Sequence, residues 1–569
     1  MSAPGTTPAE RDNVRAAREG GRSTVVIIGA GINGISTFRD LAMQGVDVLL
    51  VERDDFASGA TAASSHMIHG GIRYLENGEF RLVKESVTER NGLLKIAPHY
   101  VKPLETTIPI YSTFSGILSA PLRFLTHKQG KPTERGAFLI KIGLTIYDLF
   151  SRDGGSVPRH RFVGRKKALA DLPRLDKNIK YTATYYDASV HDPERLALDV
   201  LRDGEAAHAG AHALNYVEAI GMDAEGLRLR DRETGAGFSV KADVVVNASG
   251  PWTDLTNQAM GAETTFMGGT KGSHIVLDHP ELLEATAGRE IFFEHSDGRI
   301  VLIYPLKGRV LVGTTDIDAD PSVPARCTEE EVDYFFDLIN HVFPTIAVDR
   351  SQIVYRYSGI RPLPHHDDTA PGFVSRDYRI ERRVDGGTAV FSLVGGKWTT
   401  FRALGENLAD HVLSELGRQR LTSTAGVRIG GGNGFPQTPR RRLEWLRDNV
   451  GDDARGQELF TRYGTRAADV AAFIAAGEDA PVVGDALSSR ELAWMVENEQ
   501  VVHVADVIFR RTSLAFTGDV NAAVIRSIAE ELAPLLGWDS ARVDREIEQT
   551  AEQLLDAHGV DVGVEVATA

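Results

Sequence analysis

"STVVIIGAGINGISTFRDLAMQGVDVLLVERDDF" runs from Ser23 to Phe56. It opens with a wholly apolar strand, Val25–Ile28, turns through glycines, continues as an amphipathic helix and closes with a second apolar strand, Val48–Val51. Two such strands flanking one helix predict a parallel βαβ unit whose sheet is covered on both faces. Gly29, Gly31 and Gly34 place a GxGxxG pattern between the first strand and the helix. Gly29 permits the sharp turn, Gly31 lets a pyrophosphate approach the backbone, and Gly34 lets helix and strand pack closely. The helix N-terminus adds oriented N–H donors and partial positive charge. Glu52 ends the second strand, 18 residues after Gly34, where a carboxylate accepts ribose hydroxyls and repels a 2′-phosphate. The unit predicts a dinucleotide with an ADP half and leaves NAD and FAD both open.

The surrounding composition narrows the partners. At 569 residues the chain is expected to divide into two or three domains. A formal net charge of −16 argues against nucleic acid as a partner, yet a few cations in one cleft can still hold a small anion. The single cysteine, Cys327, excludes an internal disulfide and a cysteine metal cluster, and reads as a packing or surface residue in a reducing cytoplasm. Residues 1–22 read as a flexible tail without a signal peptide, and no apolar run is long enough to span a bilayer. Ser115–Phe150 mixes Leu, Ile and Phe with Lys128, Lys131, Arg135 and Lys141. That mixture suits an anionic membrane surface, and equally an amphipathic core helix.

Further along, "ADVVVNASGPW" (Ala242–Trp252) supplies another apolar strand for the first sheet after a long excursion. From about Gly272 closely spaced strands and short turns predict an antiparallel meander, a second domain inserted into the first. "GGKWTTFRALGENLADHVLSELG" returns to a helix, with Phe401, Leu404, Leu408 and Val412 at helical spacing and Lys397 two residues ahead of it. Arg428–Pro436 reads as a linker, and the chain beyond it as amphipathic helices. Those helices could serve a homodimer contact, although packing back onto their own chain is simpler.

With "SSHMIHGGIRYLENGEFRLVKES" beside GAGINGI, the sequence strongly resembles the FAD-dependent glycerol-3-phosphate dehydrogenases. The likeness continues through "VNASGPW", "KGSHIVL", "VGTTDID", "YSGIRPL", "SRDY", "GGKWTTFR" and, in the tail, "RYGTRA" and "ELAWMVENEQVVHVADVIFRRTSLAF". It implies an α/β fold: a Rossmann-type FAD domain of the glutathione-reductase or amino-acid-oxidase kind, an inserted antiparallel substrate domain and a C-terminal all-helical domain. The expected boundaries are about 23–110, 180–255 and 375–425 for the FAD domain, and mainly 111–179 and 256–374 for the substrate domain. Residues 431–557 form the helical domain and 558–569 a second flexible tail. The implied reaction oxidises sn-glycerol 3-phosphate to dihydroxyacetone phosphate, by hydride transfer to N5 of a non-covalent FAD, with a membrane quinone as acceptor. The implied location is cytoplasmic, peripheral on the inner face of the cell membrane.

The residues make chemical sense of this. A phosphate dianion calls for several cations, preferably with planar guanidinium. Arg73, Tyr74, Arg361 and Lys397 supply three charges and a phenol for the substrate, with His69 beside them as candidate base. His69, Arg361 and Lys397 are the catalytic candidates; acidification of the hydroxyl by the two cations, with water taking the proton, is the alternative to His69. For FAD the candidates are Gly29, Ala30, Gly31, Ile32, Asn33, Gly34, Glu52, Arg53, Ser64, Ser65, His69, Gly70, Gly71 and Gly250. The resemblance adds Gly396, Lys397, Trp398 and Thr399, in a turn expected to meet the flavin ring. His274 and Asp316 are weaker candidates, and Arg510, Arg511 and Thr512 read as structural. The rivals are an oxidase of the same substrate using O₂, an amine or amino-acid oxidase of the same architecture, a flavin-binding redox sensor, and an NAD-linked dehydrogenase.

Overall fold

The computed structural model describes residues 10–71, 80–113, 137–151, 158–294, 300–365 and 377–564. The fingerprint strand Arg22–Ile28 lies at the centre of a parallel sheet, between Gly237–Asn247 and Val48–Val51. Ala211–Leu214 extends it on one side, Thr388–Val394 and the antiparallel edge strand Arg379–Asp385 on the other. The unbroken apolar run of the sequence has a direct cause. Val25 and Ile27 enter one core beneath helices Ile32–Met43, Pro193–Ala207 and Phe401–Glu415, while Val26 and Ile28 enter another beneath the hairpin Val217–Asp231. Alternate residues serve opposite faces, so none can be polar.

The second sheet has ten strands among the described residues. The expected meander is present: Glu290–Glu294, Ile300–Leu306, Arg309–Gly313 and Met267–Leu277 pair in turn, and Ile353–Pro364 lies along the last. The domain boundaries differ from expectation. Met67–Ile68, Val101–Ile110 and Tyr181–Val190, placed by the sequence in the FAD domain, belong to this sheet. Two residues of Val101–Ile110 also pair in parallel with Glu290–Ile291, so the sheet is not wholly antiparallel. One face is covered by helix Glu329–Val342. The other shares a continuous core with the C-terminal helices, joining Tyr304, Tyr355 and Tyr357 to Leu492, Val507, Ile525 and Leu532.

Four further expectations are corrected. Asp12–Gly20 is a helix with Val14 fully buried against the FAD sheet, not part of a loose tail. Val560, Val562 and Val564 pack on the helical core rather than lying in a loose tail. Arg428–Pro436 is no slack linker: Gly431 and Gly432 are buried where an added Cβ would strike the carbonyls of Tyr463 and Ile96. The C-terminal domain also carries a small ribbon, Pro481–Val483 with Leu487–Ser488, and is not purely helical.

Candidate active site

The fingerprint turn shows why its residues are glycine. Gly29 has φ of 102°, and a Cβ there would stand 2.8 Å from the Ala248 carbonyl oxygen. A Cβ on Gly34 would overlap the Gly29 carbonyl oxygen. Gly31 caps the helix without a side chain, and a Cβ there would meet Thr61 Oγ1 at 3.3 Å. Thr61 Oγ1 accepts from Ile32 N–H at 2.9 Å, so the Ile32 donor is already engaged. Glu52 Oε2 accepts from Ala30 N–H at 2.8 Å and Oε1 from Asp54 N–H at 3.2 Å. Burial, assisted by the nearby Asp54 charge, pushes the Glu52 carboxyl up to about 7. Arg53 is exposed, with its guanidinium 4.9 Å from the Trp252 ring centre, and Gly250 turns the neighbouring chain at φ of 63°.

A second turn comes down on the first. Gly396, at φ of 112°, has no room for a Cβ beside Asn33 Nδ2 and Leu404 Cδ1. Trp398 Nε1 donates to the Thr61 carbonyl at 3.3 Å and its ring stands edge-on to Phe401 at 5.4 Å. Thr399 is buried. The helix begins at Phe401, so Lys397 lies a full turn ahead of it rather than two residues. The Lys397 charge is close enough to offset part of the burial that raises Glu85. Asn33 Oδ1, between the two turns, is buried without a hydrogen-bond partner among the described residues. Glycine-lined backbone, a helix start, an acid at the ribose position and an orphaned amide oxygen together fit FAD as the group these turns hold.

The substrate side is built on the face of the second sheet that carries Tyr355, Tyr357, Gly359 and Arg361 at alternate positions. Arg361 lies flat over Gly272, where any Cβ would collide with its guanidinium. Its Nη1 donates to Asp316 Oδ1 at 2.9 Å, and its Nη2 to Thr314 Oγ1 at 2.9 Å and to the Thr315 carbonyl at 2.8 Å. His274 stacks on Tyr357 with ring centres 4.8 Å apart and shares a 2.8 Å hydrogen bond with Ser65 Oγ. Burial first, then the Arg361 charge, holds its imidazole well below the ordinary histidine range, so it is neutral at pH 7. The Tyr357 hydroxyl donates to the Ser64 carbonyl and the Tyr304 hydroxyl to that of Ser65.

The hub of the site is therefore Thr61–Ser65. Thr61 contacts both flavin-side turns, while Ser64 and Ser65 are held by the substrate-side sheet. Sequence reading selected Ser64 and Ser65 but did not select Thr61, Tyr304, Tyr357 or Thr314, although "YSGIRPL" begins at Tyr357 and "VGTTDID" contains Thr314. His274 and Asp316, weak candidates by sequence, are direct neighbours of Ser65 and Arg361. Arg73 and Tyr74 lie outside the described residues. His69 is half-buried at the end of strand Met67–Ile68, and Gly71 follows at φ of 75°. The Gly70 N–H points inward, donating to Asp187 Oδ1 at 2.9 Å and to the Tyr147 hydroxyl at 3.1 Å. Cys327 is a buried packing residue whose thiol burial pushes up to about 12.

Fold and cradle together define a FAD-dependent oxidoreductase. The family model of that description matches residues 24–411, and the model described as the C-terminal domain of alpha-glycerophosphate oxidase matches 422–543. A glycerol-3-phosphate dehydrogenase of Synechocystis is 33% identical over 93% of this chain and 96% of its own. One from Pseudomonas tolaasii is 32% identical over 86% and 91%. The solved glycerol-3-phosphate dehydrogenase of Bacillus halodurans, complexed with FAD, shares the fold at a TM-score of 0.73 and 24% identity, covering 97% of this chain and 98% of that one. The chain belongs to the FAD-dependent glycerol-3-phosphate dehydrogenase family.

Proposed function

We propose that this chain oxidises sn-glycerol 3-phosphate to dihydroxyacetone phosphate and passes the electrons to a membrane quinone. The observation that carries the substrate reading is Arg361. It is a guanidinium clamped in one plane beside a neutral, buried imidazole, on the sheet face that is hydrogen-bonded to the flavin-side loop Thr61–Ser65. A planar fork held in place binds a phosphate dianion with little further loss of freedom. Asp316, which now accepts from the fork, is the group a dianion would displace. Bound FAD supplies the two-electron acceptor for the substrate's C2 hydride. His69 takes the proton of the C2 hydroxyl, Arg361 and Lys397 hold the anion, and the tyrosines at 304 and 357 keep bulk water from the Ser64–Ser65 side.

The acceptor reading rests on the surface. No helix among the described residues is long and apolar enough to cross a membrane. Helix Ala137–Ser151, however, turns Leu144 and Tyr147 inward while Phe138 and Ile142 remain 52% and 43% exposed beside Lys141. Aromatic and branched side chains next to a cation suit a lipid interface with anionic headgroups. That helix gives the chain a peripheral seat from which a lipid-soluble quinone is in reach. The test supplies purified holoprotein with sn-glycerol 3-phosphate and either a quinone analogue or air. Dihydroxyacetone phosphate formed in step with quinol supports the reading; turnover with oxygen alone assigns the oxidase, and no product with either overturns it.

A further inference from the structure

Beneath the His69–Gly70–Gly71 turn lies a buried cluster that the functional reading leaves unused. The short strand Met67–Ile68 pairs with Ser189 and Ala188, and its ladder stops there. One step further along the partner strand, Asp187 takes over with its side chain: Oδ1 accepts the N–H of Gly70 at 2.9 Å. The same oxygen accepts from the Tyr147 hydroxyl at 2.6 Å and from Arg90 Nη1 at 2.8 Å. Arg90 Nη1 also donates to the Tyr147 hydroxyl oxygen at 2.7 Å and to the Tyr186 carbonyl at 3.0 Å. Arg90, Asp187 and Tyr147 are fully or almost fully buried, and burial holds the Tyr147 phenol well above its ordinary range, so it remains a donor. Gly70 presses directly on this hydroxyl; a Cβ there would collide with it and with Val87.

Three elements meet at this one carboxylate oxygen. Gly70 comes from the turn that begins at His69, Arg90 from the helix Phe80–Ile96, and Tyr147 from the helix whose far side exposes Phe138 and Ile142. Both described flanks of the stretch 72–79 are therefore tied to Asp187. A buried ion pair gives little net stability against apolar residues of equal volume, but it fixes one geometry for the groups it joins. We infer that Asp187, Tyr147 and Arg90 are positioning residues for the reaction: they hold the His69 turn at the register in which it meets the substrate. The inference rests on the proposed function, because it takes His69 to face the substrate.

The experiment follows anaerobic reduction of the bound flavin by sn-glycerol 3-phosphate in wild type, Tyr147→Phe, Asp187→Asn and the control Tyr185→Phe. Tyr185 is a neighbour of equal burial whose ring stands 5.8 Å from that of Tyr147. FAD content and reduction by dithionite are measured beside it. The limiting reduction rate is expected to fall about ten- to a hundred-fold in the first two variants, the scale on which sub-ångström to ångström misplacement acts. The half-saturating substrate concentration, FAD content and dithionite reduction stay near wild type. Equal limiting rates in wild type and Tyr147→Phe, or an equal loss in Tyr185→Phe, overturn the inference. Should Asp187→Asn fail to fold, Tyr147→Phe alone decides, since it keeps the ring and removes one oxygen. Wild-type protein that carries FAD yet is not reduced by the substrate overturns the functional reading instead.

Discussion

Asp55→Asn should loosen the C-terminal domain from the flavin domain. Asp55 follows the ribose-side strand by four residues and receives two guanidinium groups from the far end of the chain. Arg511 Nη2 donates to Asp55 Oδ1 at 2.9 Å, and both Arg511 Nη1 and Arg510 Nε reach Oδ2. The two cations hold the Asp55 carboxyl far below the ordinary range despite burial that opposes this. In the variant Arg510 keeps Asp506 at 2.8 Å, but Arg511 keeps chiefly the Glu499 carbonyl at 2.7 Å. Arg511 is fully buried, so its charge loses its hydrogen-bonded carboxylate and is left with that of Glu499 at 3.9 Å. Removing one partner of such a pair costs about 3–5 kcal/mol. At ~0.8 °C per kcal/mol for a chain of this size, the melting temperature of the holoprotein should drop by about 2–4 °C. Differential scanning fluorimetry with flavin fluorescence as a second channel reads both unfolding and FAD release. A variant melting within 1 °C of wild type, with unchanged amide exchange at residues 507–511, would refute the claim that this carboxylate fastens the domain.

Three other outcomes follow from the same geometry. Gly34→Ala places a methyl group inside the Gly29 carbonyl contact, costs about 1–3 kcal/mol by overpacking, and should yield protein depleted of flavin by absorbance. Arg361→Lys keeps the charge but loses the planar fork, so the KM for sn-glycerol 3-phosphate should rise about ten- to a hundred-fold; an unchanged KM removes Arg361 from the phosphate site. Glu52 has its folded-state pKa raised from 4.5 to about 7, so its contribution is fully present below the unfolded value and is lost as pH rises to about 7. Apoprotein stability should therefore decline across that window, by up to ~2 kcal/mol allowing for partial solvent access. Glu52→Gln should flatten that decline in urea titrations while weakening FAD retention.

The first turn of the flavin side was readable in the sequence because its devices are local. Gly29, Gly31, Gly34 and Glu52 lie within one strand–helix–strand unit, and their spacing alone carries the geometry. The substrate sheet was harder. "VKPLETTIPI" contains Pro103 and Pro109, which argue against an inner strand, yet its pairing with Glu290–Ile291 needs only Thr106 and Thr107, between the prolines. Nothing in the chain around Tyr304 or Tyr357 names its partner, since each meets the Ser64–Ser65 loop more than 200 residues away. The same holds for Arg510 with Asp55, separated by 455 residues, where a pair of arginines in a helical tail gives no hint of its partner. Gly70 carries a packing demand that the sequence does not show. Its glycine is required by a hydroxyl pressed against it from behind, and a glycine needed for close packing looks identical in sequence to one needed for a ligand.

The most direct test of the account mixes anaerobic, flavin-loaded protein with sn-glycerol 3-phosphate and follows the yellow absorbance of the flavin in a stopped-flow cell. Rapid bleaching with one equivalent of dihydroxyacetone phosphate per flavin, absent with unphosphorylated glycerol and slowed in His69→Asn, is the predicted result. A flavin that stays oxidised, or bleaches equally well with glycerol, would contradict a site shaped for a triose phosphate dianion.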